Sequence, residues 1–239
     1  MSGIEIVELS EVPVKKRTVV TGFAGAGFIG NTALMYAARS KGFKQVGHLH
    51  GNVLPAMMIL VEGKPSHSFR IYTDASDDYM FLVTESMLQP EAAWTIGHEL
   101  MRWLKGKGLK EIVALEGFPF AQSGLFGFTT GDKSLQGYGI KPISEGAISG
   151  VNASLLYESM KEGVEWTTVY VPTRVISSID YQGAVDAVQV LNTMFKLDVD
   201  PEQLRRTSEA IAKATETHRQ QQRKRGGFLD RLLPGETGT

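Results

Sequence analysis

The sequence predicts an α/β protein: a three-layer α/β/α sandwich on a mixed sheet, with a C-terminal helical extension. Three observations lead there. Apolar stretches at Arg17–Thr21, Lys110–Leu115 and Thr167–Val171 read as buried strands, and segments of helical periodicity alternate with them. Between residues 45 and 84, four further apolar segments are split by turn residues, which argues against a purely parallel sheet. From Asp200-Pro201 onward the chain becomes highly charged and keeps only a narrow apolar stripe.

Each element follows from its residues. Met1 to Ser10 alternates Ile4 and Ile6 with Glu5 and Glu8; without a basic start and an apolar centre it is no signal peptide. The strand Arg17–Thr21 runs through a glycine-dense turn into a helix over Phe28–Ser40. Gln45–His50, Ala56–Glu62, Phe69–Thr73 and Tyr79–Thr84 form the β-rich block, divided at Gly51-Asn52, Gly63-Lys64-Pro65 and Asp74–Asp78. Pro90 suits a first helical turn, and Ala93, Trp94, Ile96, Leu100, Trp103 and Leu104 give Glu91–Lys105 helical spacing, ended by Gly106-Lys107-Gly108. The strand Lys110–Leu115 is followed by a loop, Glu116–Phe120. Residues 121–149, rich in glycine around Phe126 and Phe128, read as short strands and turns. Val151–Glu162 is expected to be helical, Thr167–Val171 a strand and Tyr181–Phe195 a helix. We place an α/β core domain at 1–198 and a charged C-terminal helix and tail at 199–239.

Bulk properties narrow the function classes. The 239 residues are 42% hydrophobic and 21% charged, as in ordinary soluble domains, and the formal net charge of −1 exerts no pull toward nucleic acid or an acidic membrane. There is no cysteine, which excludes disulfides, thiolate metal sites and cysteine nucleophiles. The longest apolar run, Pro55–Val61, is too short to span a bilayer. A soluble, cytoplasmic protein is expected, with neither nucleic-acid nor membrane partners.

The glycine turn is the main candidate site. Gly25-Ala-Gly27-Phe-Ile-Gly30 follows a strand and opens a helix, as in folds that cradle phosphate. A dinucleotide site next needs an acidic residue about 20 positions on for the ribose. No carboxylate occurs between Val12 and Val61, although Arg39 or Lys41 leaves room for a phosphorylated ribose. Gly22 and Gly27 have Walker spacing, but Phe28-Ile29 stands where lysine and a hydroxyl residue are required. The better reading is that Gly22, Gly25, Gly27 and Gly30 permit a tight turn and close helix–sheet packing. A nucleotide- or nucleoside-binding enzyme using this turn is the alternative function.

Other motifs carry less. Tyr157-Glu-Ser-Met-Lys161, with Ser144 and Ser149 upstream, imitates the acid and its tuning lysine in short-chain dehydrogenases; two residues one helical turn apart arise in any amphipathic helix. His98-Glu99 lacks the second histidine of a zinc-protease motif, Arg102 taking its place. His48 and His50 have no third ligand nearby, Ser123 is a lone glycine-flanked serine, and Asp74, Asp77 and Asp78 read as a solvated turn. We expect no metal, no cofactor and no catalytic residue.

Several segments together resemble the archaeal proteasome assembly chaperone family. They are Gly22-Phe-Ala-Gly-Ala-Gly-Phe-Ile-Gly30, Gln89-Pro-Glu-Ala-Ala93, Lys110-Glu-Ile-Val-Ala-Leu-Glu-Gly117, Glu145-Gly-Ala-Ile-Ser-Gly-Val-Asn152 and Ala184-Val-Asp-Ala-Val-Gln-Val-Leu-Asn192. They occur in one order across residues 4–220. The resemblance implies a sandwich like that of nucleoside phosphorylases without their reaction. It implies self-association into a trimer or larger homo-oligomer and, for some members, binding to proteasome α subunits. Proteasome-binding members can end in a hydrophobic residue, a tyrosine and any residue; this chain ends Gly235-Glu-Thr-Gly-Thr239, a departure from that pattern.

The expected partner-binding residues therefore lie in the extension. Leu204 and Ile211, with Ala214, form the stripe of the charged helix, and the basic run Arg219–Arg225 follows. Beyond Gly226-Gly227, Phe228, Leu229, Leu232 and Leu233 would share one face of a two-turn helix. That face has three readings: a ligand for a partner's groove, a segment folded onto its own oligomer, or a disordered end. A self-assembling scaffold without a client is the remaining option.

Overall fold

In the computed structural model of the chain, residues 3–61, 63–120 and 122–213 are described. The strands are β1 (Ile4–Glu8), β2 (Arg17–Gly22), β3 (Lys44–Gly51), β4 (Met58–Val61), β5 (Lys64–His67), β6 (Phe69–Thr73), β7 (Tyr79–Thr84), β8 (Leu109–Pro119), β9 (Leu125–Thr129), β10 (Ile140–Pro142) and β11 (Glu165–Thr173). The helices are α1 (Ile29–Ser40), α2 (Ala93–Gly106), α3 (Gly150–Glu162) and α4 (Tyr181–Phe195), and a fifth helical segment covers 202–213.

Nine strands form one mixed sheet in the order β1-β3-β6-β7-β2-β8-β11-β9-β10. Its centre, β7-β2-β8-β11, is parallel, while β1, β3 and β6 extend it antiparallel on one side and β9 turns antiparallel on the other. Alternation along the central strands feeds two cores. Val20, Phe81, Val83, Val113 and Leu115 point to the side covered by α1 and α4. Their neighbours Val19, Met80, Leu82, Ile112 and Ala114 point to the side covered by α2 and α3. A period of two with both faces apolar is what a central strand between two helical layers requires.

The mixed α/β sandwich agrees with expectation; three local readings need correction. The loop expected at Glu116–Phe120 is strand as far as Pro119, because β8 keeps its pairing with β11 from Glu111↔Glu165 to Pro119↔Thr173. The break at Gly63-Lys64-Pro65 is the start of β5, which pairs with β4 in a separate hairpin where Pro65 sits on an outer strand and owes no ladder bond. The helix expected from Phe28 starts at Ile29, after a 3-10 turn over Ala26–Phe28.

Residues after α4 are strapped to the body. Leu197, Val199 and Leu204 join the α1/α4 core. The Asn192 side chain accepts from Val199 N–H and donates to Val199 O, both at 2.8 Å. Tyr36 and Lys41, at the far end of α1, donate to Asp200 O and Asp198 O at 2.6 and 3.1 Å.

Candidate functional site

The C-terminal ends of the parallel strands β2, β7 and β8 lie side by side at one end of the sheet. There α1 leaves for one face and α2 for the other, and such a divergence opens a crevice. The glycine turn forms one wall of this cleft, whose volume is about 430 Å³.

Steric contact explains two of the glycines directly. A Cβ on Gly30 would lie 2.1 Å from Leu115 O, and one on Gly22 would lie 2.5 Å from Gly30 O. The first turn of α1 thus rests on the backbones of β2 and β8. Gly27 has φ +65, the left-handed region, and the next residue, Phe28, is also left-handed at φ 48. This pair of residues bends the chain into α1.

Several of the turn's backbone groups are engaged within the chain. Gly27 N–H donates to Ile176 O at 3.3 Å, Phe28 N–H donates to Gly25 O at 3.0 Å, and Gly27 O accepts from Asp180 N–H at 2.8 Å. Asp180 in turn caps α4, accepting from Gly183 N–H at 2.9 Å and from the Thr173 hydroxyl at 2.6 Å. A phosphate cradle needs amides aimed outward, and two here already have acceptors. Among the described residues, no lysine, arginine or histidine lines the cleft. This geometry supports the packing reading of Gly22, Gly27 and Gly30. Gly25 is different: a Cβ there would meet nothing closer than Phe23 O at 3.9 Å.

The polar content of the cleft is a hydrogen-bonded relay that sequence reasoning missed. The Thr21 hydroxyl donates to Asn152 Oδ1 at 2.9 Å, and Asn152 Nδ2 donates to Glu116 Oε1 at 2.6 Å. Thr21 is the last residue but one of β2, Glu116 lies near the end of β8, and Asn152 is in the first turn of α3. Burial pushes the Glu116 carboxyl above the usual carboxylate range, and the Asn152 bond offsets only part of that. Tyr170, opposite Glu116 on β11, is pushed up to about 12 by burial and then by the Glu116 charge. The signal was present in the sequence: a threonine and a glutamate at the ends of otherwise apolar strands.

The other sequence candidates do not converge here. Tyr157 is exposed and packs edge-on against Trp94, while Lys161 pairs with Glu158 at 3.5 Å. His98 sits 3.5 Å from the same Glu158. His48 is buried and stacks on His67 with ring centres 3.4 Å apart, whereas His50 is exposed. In the acidic turn Asp78 is exposed and pairs with Lys15 at 2.8 Å, and Asp74 accepts from Tyr79 N–H at 2.8 Å. Among the described residues, no group of three or more histidine or acidic side chains could hold a metal ion.

The two halves of the expected partner-binding stripe are separated. Leu204 is only 6% exposed, inside the chain's own core. Ile211 is 46% exposed and lines a cavity of about 580 Å³ with Phe28, Thr32, Ile179 and Tyr181. Ala214, Arg219–Arg225, Phe228, Leu229, Leu232 and Leu233 lie outside the described residues.

Comparison with known proteins gives a consistent picture. The model of the PAC2 family matches residues 19–219. The uncharacterized protein MJ0106 of Methanocaldococcus jannaschii is 23% identical over 215 residues, covering 88% of this chain and 89% of that one. The crystal structure of Pyrococcus furiosus PbaA, described as an archaeal homolog of proteasome-assembly chaperone, superposes with a TM-score of 0.82 at 23% identity. It covers 96% of this chain and 97% of its own. Pyrococcus furiosus PbaB, described as an archaeal proteasome activator, gives a TM-score of 0.78 at 14% identity over 92% and 100% of the two chains.

Proposed function

We propose that this chain, which belongs to the PAC2 family, is a homo-oligomeric, proteasome-assembly-chaperone-like factor that works by binding proteins rather than by catalysis. The observation that carries the reading is the kind of surface the fold presents. Trp94 on α2 is 59% exposed, and Tyr157 and Met160, one turn apart on α3, are exposed with it. On the β4–β5 hairpin Met58 is exposed and Leu60 is 72% exposed. Exposed aromatic and methionine side chains are enriched where proteins meet proteins. The engaged amides of the glycine turn give the nucleotide alternative no comparable support.

By analogy with PbaA and PbaB, the client is the proteasome, and its α subunits are the surface that we propose is bound. The recognition elements are Ile211 and, beyond the described residues, the basic run and Phe228, Leu229, Leu232 and Leu233. A cytoplasmic location follows from such a client. Among the described residues, no helix is long and apolar enough to cross a membrane.

The test is co-purification and native mass measurement. The full chain is expected as a trimer or larger particle that retains 20S α subunits. Deleting residues 207–239 spares Leu204 and its core packing but abolishes that capture. A monomer that captures no proteasome component would overturn the proposal.

A further inference from the structure

The cleft beside the glycine turn has a chemistry that the recognition elements named above do not share. Among the described residues its lining contains one ionisable side chain, Glu116, and no basic one. The carboxyl takes one hydrogen bond, from Asn152, whose own oxygen is occupied by Thr21. The walls around it are apolar, with Phe23, Leu88 and Phe118 among them. The first turn of α3, where Asn152 sits, brings the positive end of a helix toward the same carboxyl, a partial charge that steadies the carboxylate without neutralising it. Ser149, at the N-cap of α3, also lines the cleft, and its side chain makes no capping bond.

Such a site discriminates by charge. A phosphate or carboxylate would face Glu116 with no cation to balance it. A cationic nitrogen would supply the missing counter-charge, and charge-assisted N–H···O bonds are about twice as strong as neutral ones. We propose that the cleft binds a cationic nitrogen group on an apolar stem, an alkylguanidinium or alkylammonium, with the cation on Glu116 and the stem against Phe23, Leu88 and Phe118. Asn152 and Thr21 are positioning residues that fix the carboxylate. The ligand chemistry has two sources: a free small cation, or an arginine or lysine side chain of a bound polypeptide.

Only ionised Glu116 accepts the cation, so binding displaces a proton wherever the free site is protonated. Among the described residues Tyr170 also feels this carboxyl, and it stays neutral below its raised range.

Titration of the full chain with n-butylguanidinium, followed by NMR shifts of Gly25, Met87 and Asn152 and by calorimetry in two buffers, tests this. Affinity should rise from pH 4 to pH 8, because burial holds the Glu116 carboxyl above the usual carboxylate range and only its ionised form takes the cation, with proton release at the lower pH. The neutral n-butylurea should bind at least about tenfold more weakly, and Glu116→Gln should lose at least about tenfold for the cation. Equal binding of the urea, unchanged affinity in Glu116→Gln, or no shift at the cleft with millimolar cation would each overturn the proposal. The buffer comparison on the unaltered chain stands even if the variant fails to fold: pH-independent affinity without proton release also overturns it. The peptide acetyl-Gly-Arg-Gly-amide separates the sources. Binding as tight as that of n-butylguanidinium supports a polypeptide side chain, and binding of the free cation alone supports a small molecule.

Discussion

Replacing Gly30 by alanine tests whether the glycine turn is a packing device. The added Cβ would sit 2.1 Å from Leu115 O and 3.2 Å from Gly22 Cα. An unstrained C···O contact needs about 3.3 Å, so α1 must lift from the sheet by roughly 1 Å. Both clashing partners are backbone in central strands, and neither can swing aside. The lift opens a gap beneath Ile29, Ala33, Leu34 and Ala37, all buried against β2 and β8. A radial gap of 0.5–1 Å forfeits about a quarter to a half of each dispersion contact. Overpacking typically costs 1–3 kcal/mol, and the rigidity here places Gly30→Ala near the top of that range, about 3 kcal/mol. For a chain of this size that lowers Tm by about 6–12 °C. Urea unfolding followed by circular dichroism should show a lower midpoint with an unchanged slope. Gly25→Ala is the control, since its Cβ meets nothing within 3.9 Å, and it should stay within about 0.5 kcal/mol of the parent. The reasoning fails if Gly30→Ala is neutral, or if Gly25→Ala is as damaging.

Three further outcomes are expected. Leu204→Ala should lower unfolding stability by about 2–3 kcal/mol, because the side chain is in the core, whereas the half-exposed Ile211→Ala should cost less than about 1 kcal/mol in the same urea series. Burial raises the Glu111 carboxyl, but bonds from Lys133 at 2.6 Å and Thr18 at 2.9 Å outweigh it and hold the group below the usual carboxylate range. A depressed group stabilises the fold above its unfolded value and loses that contribution as pH falls, so Glu111→Gln should cost about 1–3 kcal/mol at pH 7 and converge on the parent toward pH 3. Glu116 has the opposite sign. Its raised carboxyl favours the fold while protonated and loses that contribution as pH rises, so Glu116→Gln should gain on the parent progressively above the ordinary carboxylate range in pH-dependent melts.

The sheet was legible because its central strands are short continuous apolar runs bounded by turn residues, as strands covered on both faces require. What escaped was set by pairing across the chain. Glu116-Gly-Phe-Pro-Phe120 carries loop residues, yet β11 holds it extended to Pro119. Lys64-Pro65 looks like a turn, and only the antiparallel match to Leu60 and Val61 makes it a strand. The glycines could be read as packing or as a cradle; a Cβ on Gly30 would lie 2.1 Å from Leu115 O, which favours packing for that residue. Leu204 shows the opposite difficulty. Its place on a charged helix suggested an outward stripe, but the strap anchored by Asn192, Tyr36 and Lys41 turns it inward. The Thr21–Asn152–Glu116 relay joins residues up to 131 positions apart, a separation that local pattern does not encode.

Because Val19 and Val20, Met80 and Phe81, and Ile112 and Val113 are adjacent residues serving opposite cores, neither helical layer can detach while the other keeps an intact sheet beneath it. Peeling α1 and α4 away wets the same backbone that α2 and α3 rely on. The amides of β2, β7 and β8 should therefore exchange with solvent together and only through complete unfolding, as one cooperative unit. Local breathing is left to the β4–β5 hairpin, which stands apart from the nine-stranded sheet.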